Sequence, residues 1–230
     1  MRVTLLHHTP DPERTIALAA RLCYSPTGLD ELRGRIDAAD ITSFIDKIMS
    51  LGHHSVLEHA SFSFGVEGIS RVTSHQLVRH RVASYSQQSQ RYVSHVTAFD
   101  AITPPSIAAN PEAAARFQEA IAHAHRAYAE LVAAGIEPED ARYLLPNATE
   151  TKIVITMNAR QLLHFFQLRC CERAQWEIRA MATEMLALVR PVAPVIFQKA
   201  GPGCVAGPCP EGPFCCGKIT EVRERFKNLS

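Results

Sequence analysis

Residues 60–92 read ASFSFGVEGISRVTSHQLVRHRVASYSQQSQRY, and within this stretch the periodicity changes from two to helical and then vanishes. Phe62, Phe64 and Val66 alternate with Ser61, Ser63 and Gly65, the period of a half-buried strand over Ala60–Val66. The segment Ser70–Arg81 reads as a helix, and the polar run Ser84–Arg91 as a loop. Elsewhere helices and strands mix without a regular βαβ alternation, which favours an α+β fold over a doubly wound one.

Working outward, Val3–Leu6 is a short apolar run that suits a first strand, and Pro12–Leu22 carries Ile16, Leu18, Ala19 and Leu22 at helical spacing. A second helix is expected over Ala39–Leu51, with Gly52 as its stop. Asn110-Pro111 starts a long helix whose stripe (Phe117, Ala120, Ile121, Ala124, Tyr128, Leu131, Val132) ends before Gly135. Pro138 opens a short helix closed by Pro146. Lys152–Met157 is strand-like, and Asn158 caps a helix over Ala159–Arg169. A further helix over Ala174–Val189 stops at Pro191. The domain is expected over residues 1–200, followed by a Gly/Pro/Cys-rich tail over 201–230 with a short helix at Ile219–Phe226.

Bulk properties narrow the function. With 230 residues, 47% hydrophobic and 20% charged, the chain can bury a sizeable core. A net charge of +1 argues against a protein that coats nucleic acid, and no apolar run is long enough to cross a bilayer. The N-terminal apolar run is too short for a secretory signal, so a cytoplasmic protein is expected. Seven cysteines without an export signal indicate reduced thiols. Cys204, Cys209, Cys215 and Cys216 crowd the tail; the alternatives are a structural zinc or iron–sulfur site and a flexible reduced extension. Their spacing fits no common finger, and no metal ligand is assigned. His53, His54 and His59 likewise lack the order of a zinc helix.

The chemistry concentrates in Arg79-His80-Arg81 and the residues up to Tyr92. Between Glu67 and Asp100 there is no acidic residue, while Arg71, Arg79, Arg81, Arg91 and three histidines are present. Guanidinium groups without internal counter-ions suit bidentate contact with phosphate, and a solvated basic face is the plainer alternative. Successive residues on a helix point about 100° apart, so Arg79, His80 and Arg81 suit a helix end between two anionic ligands. The loop that follows offers hydroxyls and amides that position a ring and a ribose without adding charge. No G-x-G-x-x-G or P-loop is present.

Arg79-His80-Arg81, seven residues, Ser89 and then Arg91-Tyr92 resemble the signature of the flavin-dependent thymidylate synthases. Gly52-His53-His54-Ser55-Val56-Leu57-Glu58-His59 is similar to that family's upstream motif, and Ala141-Arg142 with Leu144-Leu145-Pro146 to its middle one. Asn158-Ala159-Arg160 through Arg169 and on to Ile178 is similar to its C-terminal motif. The resemblance covers residues 1–200. It implies the thymidylate synthase-complementing protein fold, with mixed helices packed on a mainly antiparallel sheet. It implies reductive methylation of dUMP to dTMP with 5,10-methylenetetrahydrofolate as carbon donor and NADPH as reductant through bound FAD. It also implies a homotetramer with shared active sites.

By the same resemblance Ser55, Arg79, His80, Arg81, Gln87, Asn158, Arg160 and His164 match FAD contacts. Gln76, Leu77, Val78, Arg79, the loop Gln87, Gln88, Ser89, Gln90 and Arg91, then Arg142 and Arg169, match the dUMP site. Arg169 corresponds to the catalytic arginine that polarises the pyrimidine. A fixed cation there stabilises charge developing on the ring. Helix geometry adds that Arg160 and His164, four apart, share a stripe, while Arg169 lies about half a turn round. Many members carry Asn and Glu where Ser86 and Gln87 stand, and Gln87 cannot serve as an anionic base. Ser89 has no Ser-His-Asp arrangement to activate it and reads as a dUMP contact. Cys170 and Cys171 read as buried structural cysteines. The alternatives are a flavoprotein of the same fold acting on another pyrimidine nucleotide and, from another class, a nucleic-acid-binding module using residues 71–91 as a basic stripe.

Overall fold

Strand β1 (Arg2–His8) opens the chain, two residues longer at its C-terminal end than its apolar run. Helices α1 (Pro12–Leu22), α2 (Leu29–Arg35) and α3 (Ala38–Ser50) follow, then a 3-10 turn over His54–His59 and strand β2 (Ser61–Ser70). Next come α4 (Arg71–Leu77), β3 (Ser84–Gln87), α5 (Pro105–Ala108), α6 (Pro111–Ala133), α7 (Pro138–Ala141) and β4 (Glu150–Asn158). Helices α8 (Ala159–Arg169), α9 (Trp176–Val189), α10 (Pro194–Phe197) and α11 (Ile219–Lys227) complete it. The computed structural model describes residues 1–36, 38–93, 95–97 and 99–229. The described strands form an antiparallel sheet in the order β1-β2-β4-β3, with helices packed on it, an α+β fold.

Two compact units result. One comprises 1–2, 66–79 and 85–154; the other comprises 3–65, 80–84 and 155–230. In the larger unit the inward side chains of β2, Phe62 and Phe64, are fully buried, as alternation requires. Phe62 meets Phe197 edge-on at 5.5 Å, and Phe197 meets Phe166 at 6.0 Å, so β2, α8 and α10 share one aromatic core. Ile178, Met181, Met185, Leu186 and Val189 of α9 are fully buried in the same unit. In the smaller unit Ile69, Leu77 and Tyr128 are fully buried, and Tyr128 accepts the His95 backbone N–H at 3.4 Å.

Side-chain caps place the helices that carry the candidate site. Ser70 accepts from the Thr73 N–H and starts α4, Asn110 accepts from Glu112 and Ala113 at α6, and Asn158 accepts from Gln161 at α8. Gly52, at φ 75°, follows the end of α3, a left-handed stop that glycine adopts without strain.

Two expectations need correction, and one helix was not expected. The helix expected over Ser70–Arg81 ends at Leu77, with the Val78 N–H bonded back to Ser74, so Arg79-His80-Arg81 follows the helix and is not on it. Part of the expected loop Ser84–Arg91 is strand β3: the Gln88 N–H bonds the Lys152 carbonyl at 2.9 Å, so pairing with β4 overrides its polar composition. Helix α2, absent from the sequence reading, buries only Leu32 and is tied from outside. Arg14 donates to the Arg33 and Ile36 carbonyls at 2.8 and 3.1 Å, closing its C-terminal end.

The tail folds into the larger unit. Arg190 donates to the carbonyls of Ala200, Phe226 and Leu229 at 3.2, 2.6 and 2.8 Å, and to that of Phe197 at 3.3 Å. Arg223 donates to Cys204 and Gly207, both at 2.8 Å. Val222 and Phe226 are 2% and 1% exposed, so α11 is seated by its apolar face. Gly201, at φ 141°, lies against Phe226, and a Cβ there would meet that ring at 2.9 Å. All seven cysteines are free thiols, and among the described residues no group of His, Cys, Asp or Glu is placed to hold a metal ion.

Candidate active site

Helix α8 sorts its side chains by face. Ala159, Leu162, Phe165 and Phe166 are buried, while Arg160, Gln161, His164 and Gln167 line a cavity of about 610 Å³. His54, Glu58, Val82, Asn158 and Leu163 complete the wall. The cavity lies entirely within the larger unit. The spacing 160, 164, 167 is one helical stripe, as expected for Arg160 and His164. The Arg160 guanidinium is held at 2.5 Å by the Glu58 carboxylate from the 3-10 turn, a half-exposed pair that orients the cation more than it stabilises the fold.

Arg169, at the other end of α8, turns elsewhere. Its Nε donates to Nε2 of His80 at 2.9 Å. His80 is 6% exposed, met edge-on by Phe165 at 4.9 Å and by His164 at 6.2 Å. Burial first, then the neighbouring Arg169 and His164, pushes His80 down to about 4. It is therefore neutral near neutral pH, and its bare Nε2 is an acceptor. Arg169 too is held below the ordinary guanidinium value by burial, yet stays charged.

This imidazole has a thermodynamic consequence. An unfolded histidine titrates near the ordinary value of about 6.5 and takes up its proton before the folded one does. Acid therefore favours unfolding between pH 6.5 and about 4. Stability is expected to fall as pH drops through that window, and His80→Asn should flatten the fall. Thermal melts of both proteins at about pH 7 and about pH 5 read this difference; equal shifts would contradict a buried neutral His80.

The smaller unit carries Gln76, Leu77, Val78, Arg79, the loop 87–91 and Arg142, while Ser55 and Arg81 belong to the larger one. Arg91 and Arg142 meet at Glu139: Arg91 bonds its carboxylate at 2.7 Å, and Arg142 Nε donates to its carbonyl at 2.9 Å. Burial and the adjacent Arg142 hold Arg71 below the ordinary guanidinium value. Gln87 donates to the Thr151 hydroxyl at 3.1 Å, and the Ser89 hydroxyl accepts the Arg91 N–H at 3.1 Å, shaping the loop that carries Gln88 and Gln90. The Gln76 amide donates to its own helix at Val72, Leu77 is fully buried, and its carbonyl takes the Tyr85 hydroxyl at 2.9 Å. Val78, Arg79 and Arg81 are exposed, as is Ser55 beside the cavity-lining His54. The Cys170 thiol is fully buried, and burial pushes it up to about 12, so it is no thiolate nucleophile.

Glu58, Gln161 and Gln167 lie inside the motifs of the sequence but receive no site role from them. The signal for the two glutamines is in the spacing, since Gln167 continues the Arg160/His164 stripe and position 161 borders it. The link between His80 and Arg169, 89 residues apart, carries no sequence period at all.

Comparison with known proteins matches the chain to one family. Residues 4–195 match the family model described as thymidylate synthase complementing protein. Over its whole length the chain is 62% identical to the flavin-dependent thymidylate synthase of Geobacter sulfurreducens, also covered in full. It is 47% identical to that of Clostridium tetani, with 98% of this chain and 97% of the relative aligned. With that of Pyrococcus abyssi it shares 44% identity over 100% of this chain and 98% of the relative. The chain belongs to the thymidylate synthase complementing proteins, the flavin-dependent thymidylate synthases.

Proposed function

We infer that this chain converts dUMP to dTMP by reductive methylation, with 5,10-methylenetetrahydrofolate as carbon donor, NADPH as reductant and FAD as bound cofactor. The observation that carries the reading is α8. It presents Arg160 and His164 to one cavity and turns Arg169 to a buried, neutral His80.

The cavity residues suit a flavin dinucleotide. The Arg160 guanidinium and the amides of Asn158, Gln161 and Gln167 offer donors to a pyrophosphate and to ring carbonyls, and Val82 and Leu163 offer apolar wall. When bound, FAD supplies the hydride chemistry, and the protein supplies grip, orientation and field. Ser55, Arg79 and Arg81 complete the cofactor's contacts. Arg79, Arg91 and Arg142 hold the nucleotide phosphate. Gln76, Gln87 and Ser89, with the backbone at Leu77, Val78, Gln88 and Gln90, position the ribose and the ring.

Arg169 is the catalytic group. A fixed cation at the uracil edge favours ionisation at N3 and stabilises the charge that develops when C5 takes the methylene carbon. Gln87, neutral and engaged with Thr151, orients substrate and takes no proton. The assembly is a homotetramer in the cytoplasm, its active sites built from several chains. Residues 1–200 carry the chemistry, and the tail braces α9. Among the described residues no helix is long and apolar enough to cross a membrane.

The test is direct. Purified protein incubated with FAD and desalted should keep a flavin absorption spectrum and bleach on anaerobic addition of NADPH. A folded sample that emerges colourless would refute the reading.

A further inference from the structure

The tail closes a short turn that brings two thiols together, and nothing in the reaction uses them. Between Cys209 and Cys215 the chain folds back through a 3-10 turn over Gly212–Phe214, where the Phe214 and Cys215 N–H groups bond the Glu211 and Gly212 carbonyls at 3.0 and 3.1 Å. Both arms of the turn are pinned. Pro210 seats on Gly203, where a Cβ would meet its Cγ at 2.7 Å. Arg173 donates to the Phe214 carbonyl at 3.0 Å and lies over that ring at 5.5 Å. The Cys209 and Cys215 thiols hydrogen-bond each other across the turn, and the Gly217 N–H donates to Cys215 Sγ at 3.4 Å. We propose that Cys209 and Cys215 form a redox-active dithiol site for hydrogen peroxide, in which Cys215 attacks the oxidant and Cys209 closes the disulfide.

The surroundings divide the labour between the two sulfurs. The Gly217 N–H, and then the Cys209 thiol, hold Cys215 below the ordinary thiol value, which favours the thiolate that reacts. At Cys209 the Glu211 N–H pulls the same way, but desolvation and the Cys215 neighbour outweigh it and hold this thiol above the ordinary value. A lowered, accessible thiol beside a second one is what a peroxide-reactive cysteine and its resolving partner require. Cys209 and Cys215 are half-buried and within reach of solvent, whereas Cys204 is 5% exposed. Cys216 also hydrogen-bonds Cys215, but neighbouring Cα atoms lie about 3.8 Å apart, short of the roughly 4.4–6.8 Å that a disulfide spans. Cys209, across the turn, is free of that limit. Among the described residues no group of His, Cys, Asp or Glu is placed to hold a metal ion, which favours thiol chemistry here over a zinc site.

The electrons balance. Cys215 sulfur attacks one peroxide oxygen, the O–O bond breaks, hydroxide leaves and an S–OH forms. Cys209 sulfur then displaces that hydroxyl, which leaves as water with the Cys209 proton as the S–S bond forms. Two thiols are oxidised, one peroxide becomes two waters, and a dithiol reductant returns the disulfide to two thiols.

The test uses the purified full-length protein, reduced, freed of reductant without oxygen and given one equivalent of hydrogen peroxide. Cleavage after Lys199, Glu211 and Lys218 yields peptides 200–211 and 212–218, which separate Cys209 from Cys215. After oxidation these peptides should stay joined until a dithiol is added. Before oxidation Cys215 should be alkylated about 10-fold faster than the exposed Cys23. In Cys209→Ser the link should vanish, and a Cys215 sulfenic acid should accumulate, captured by dimedone. Wild-type peptides that separate without reductant, a link that persists in Cys209→Ser, or zinc bound to these thiols in protein purified without chelator would each overturn the proposal. If Cys209→Ser does not fold, the wild-type peptide map and alkylation rates still decide.

Discussion

Arg169→Ala is expected to lower kcat for dTMP formation by about 10²–10³-fold, the cost of removing one preorganised electrostatic group from a developing charge, while the protein retains its flavin. The split follows from where the side chain goes. The cavity on α8 is lined by Arg160 and His164 and not by Arg169, whose Nε is taken by His80. Loss of Arg169 therefore leaves the cofactor's contacts in place and removes the cation assigned to the pyrimidine. Arg169→Lys should recover little. An ammonium has no Nε–H to give His80 and no planar fork, so the charge would be present but unplaced. Steady-state dTMP formation, with flavin content measured on the same samples, checks this. A variant with normal turnover would refute the catalytic assignment, and one that loses its flavin would refute the separation of roles.

Arg190→Met is expected to destabilise the chain by about 3–5 kcal/mol, because it strips partners from several backbone carbonyls at once and unseats the tail. Arg190 reaches the carbonyls of Phe197, Ala200, Phe226 and Leu229, thereby joining α9, α10 and α11. Methionine replaces the stem of the side chain and none of the donors. Water can repay part of the loss at the chain end but little of it around Phe226, which is 1% exposed. Urea unfolding should show the lower midpoint, and limited proteolysis should cleave first near residues 201–218. A variant as stable as the parent would show that the apolar seat of α11 suffices.

Much of the fold was legible because local signals agreed with tertiary need. The alternation at Phe62 and Phe64 gave β2, and Asn110 and Asn158 gave the starts of α6 and α8 to the residue, since a cap is a local hydrogen bond. What escaped depends on distant partners. Helix α2 is closed by Arg14 from another helix, and β3 is a strand because β4 offers it a ladder. The long stripe of α6 reads as a buried face, but of that helix only Tyr128 is buried in the single chain. The site divides the same way. Arg160 and His164 were legible as one stripe. His80, by contrast, sat in a basic motif that suggested a charged contact, whereas burial makes it a neutral acceptor.

The claim beneath all of this is that the methyl group's final reduction comes from NADPH by way of flavin and not from the folate. Folate product and NADPH consumption, measured per dTMP formed under anaerobic conditions, test it most directly. The expected result is tetrahydrofolate and one NADPH oxidised for each dTMP. Dihydrofolate as the product, with dTMP formed in the absence of NADPH, would contradict it.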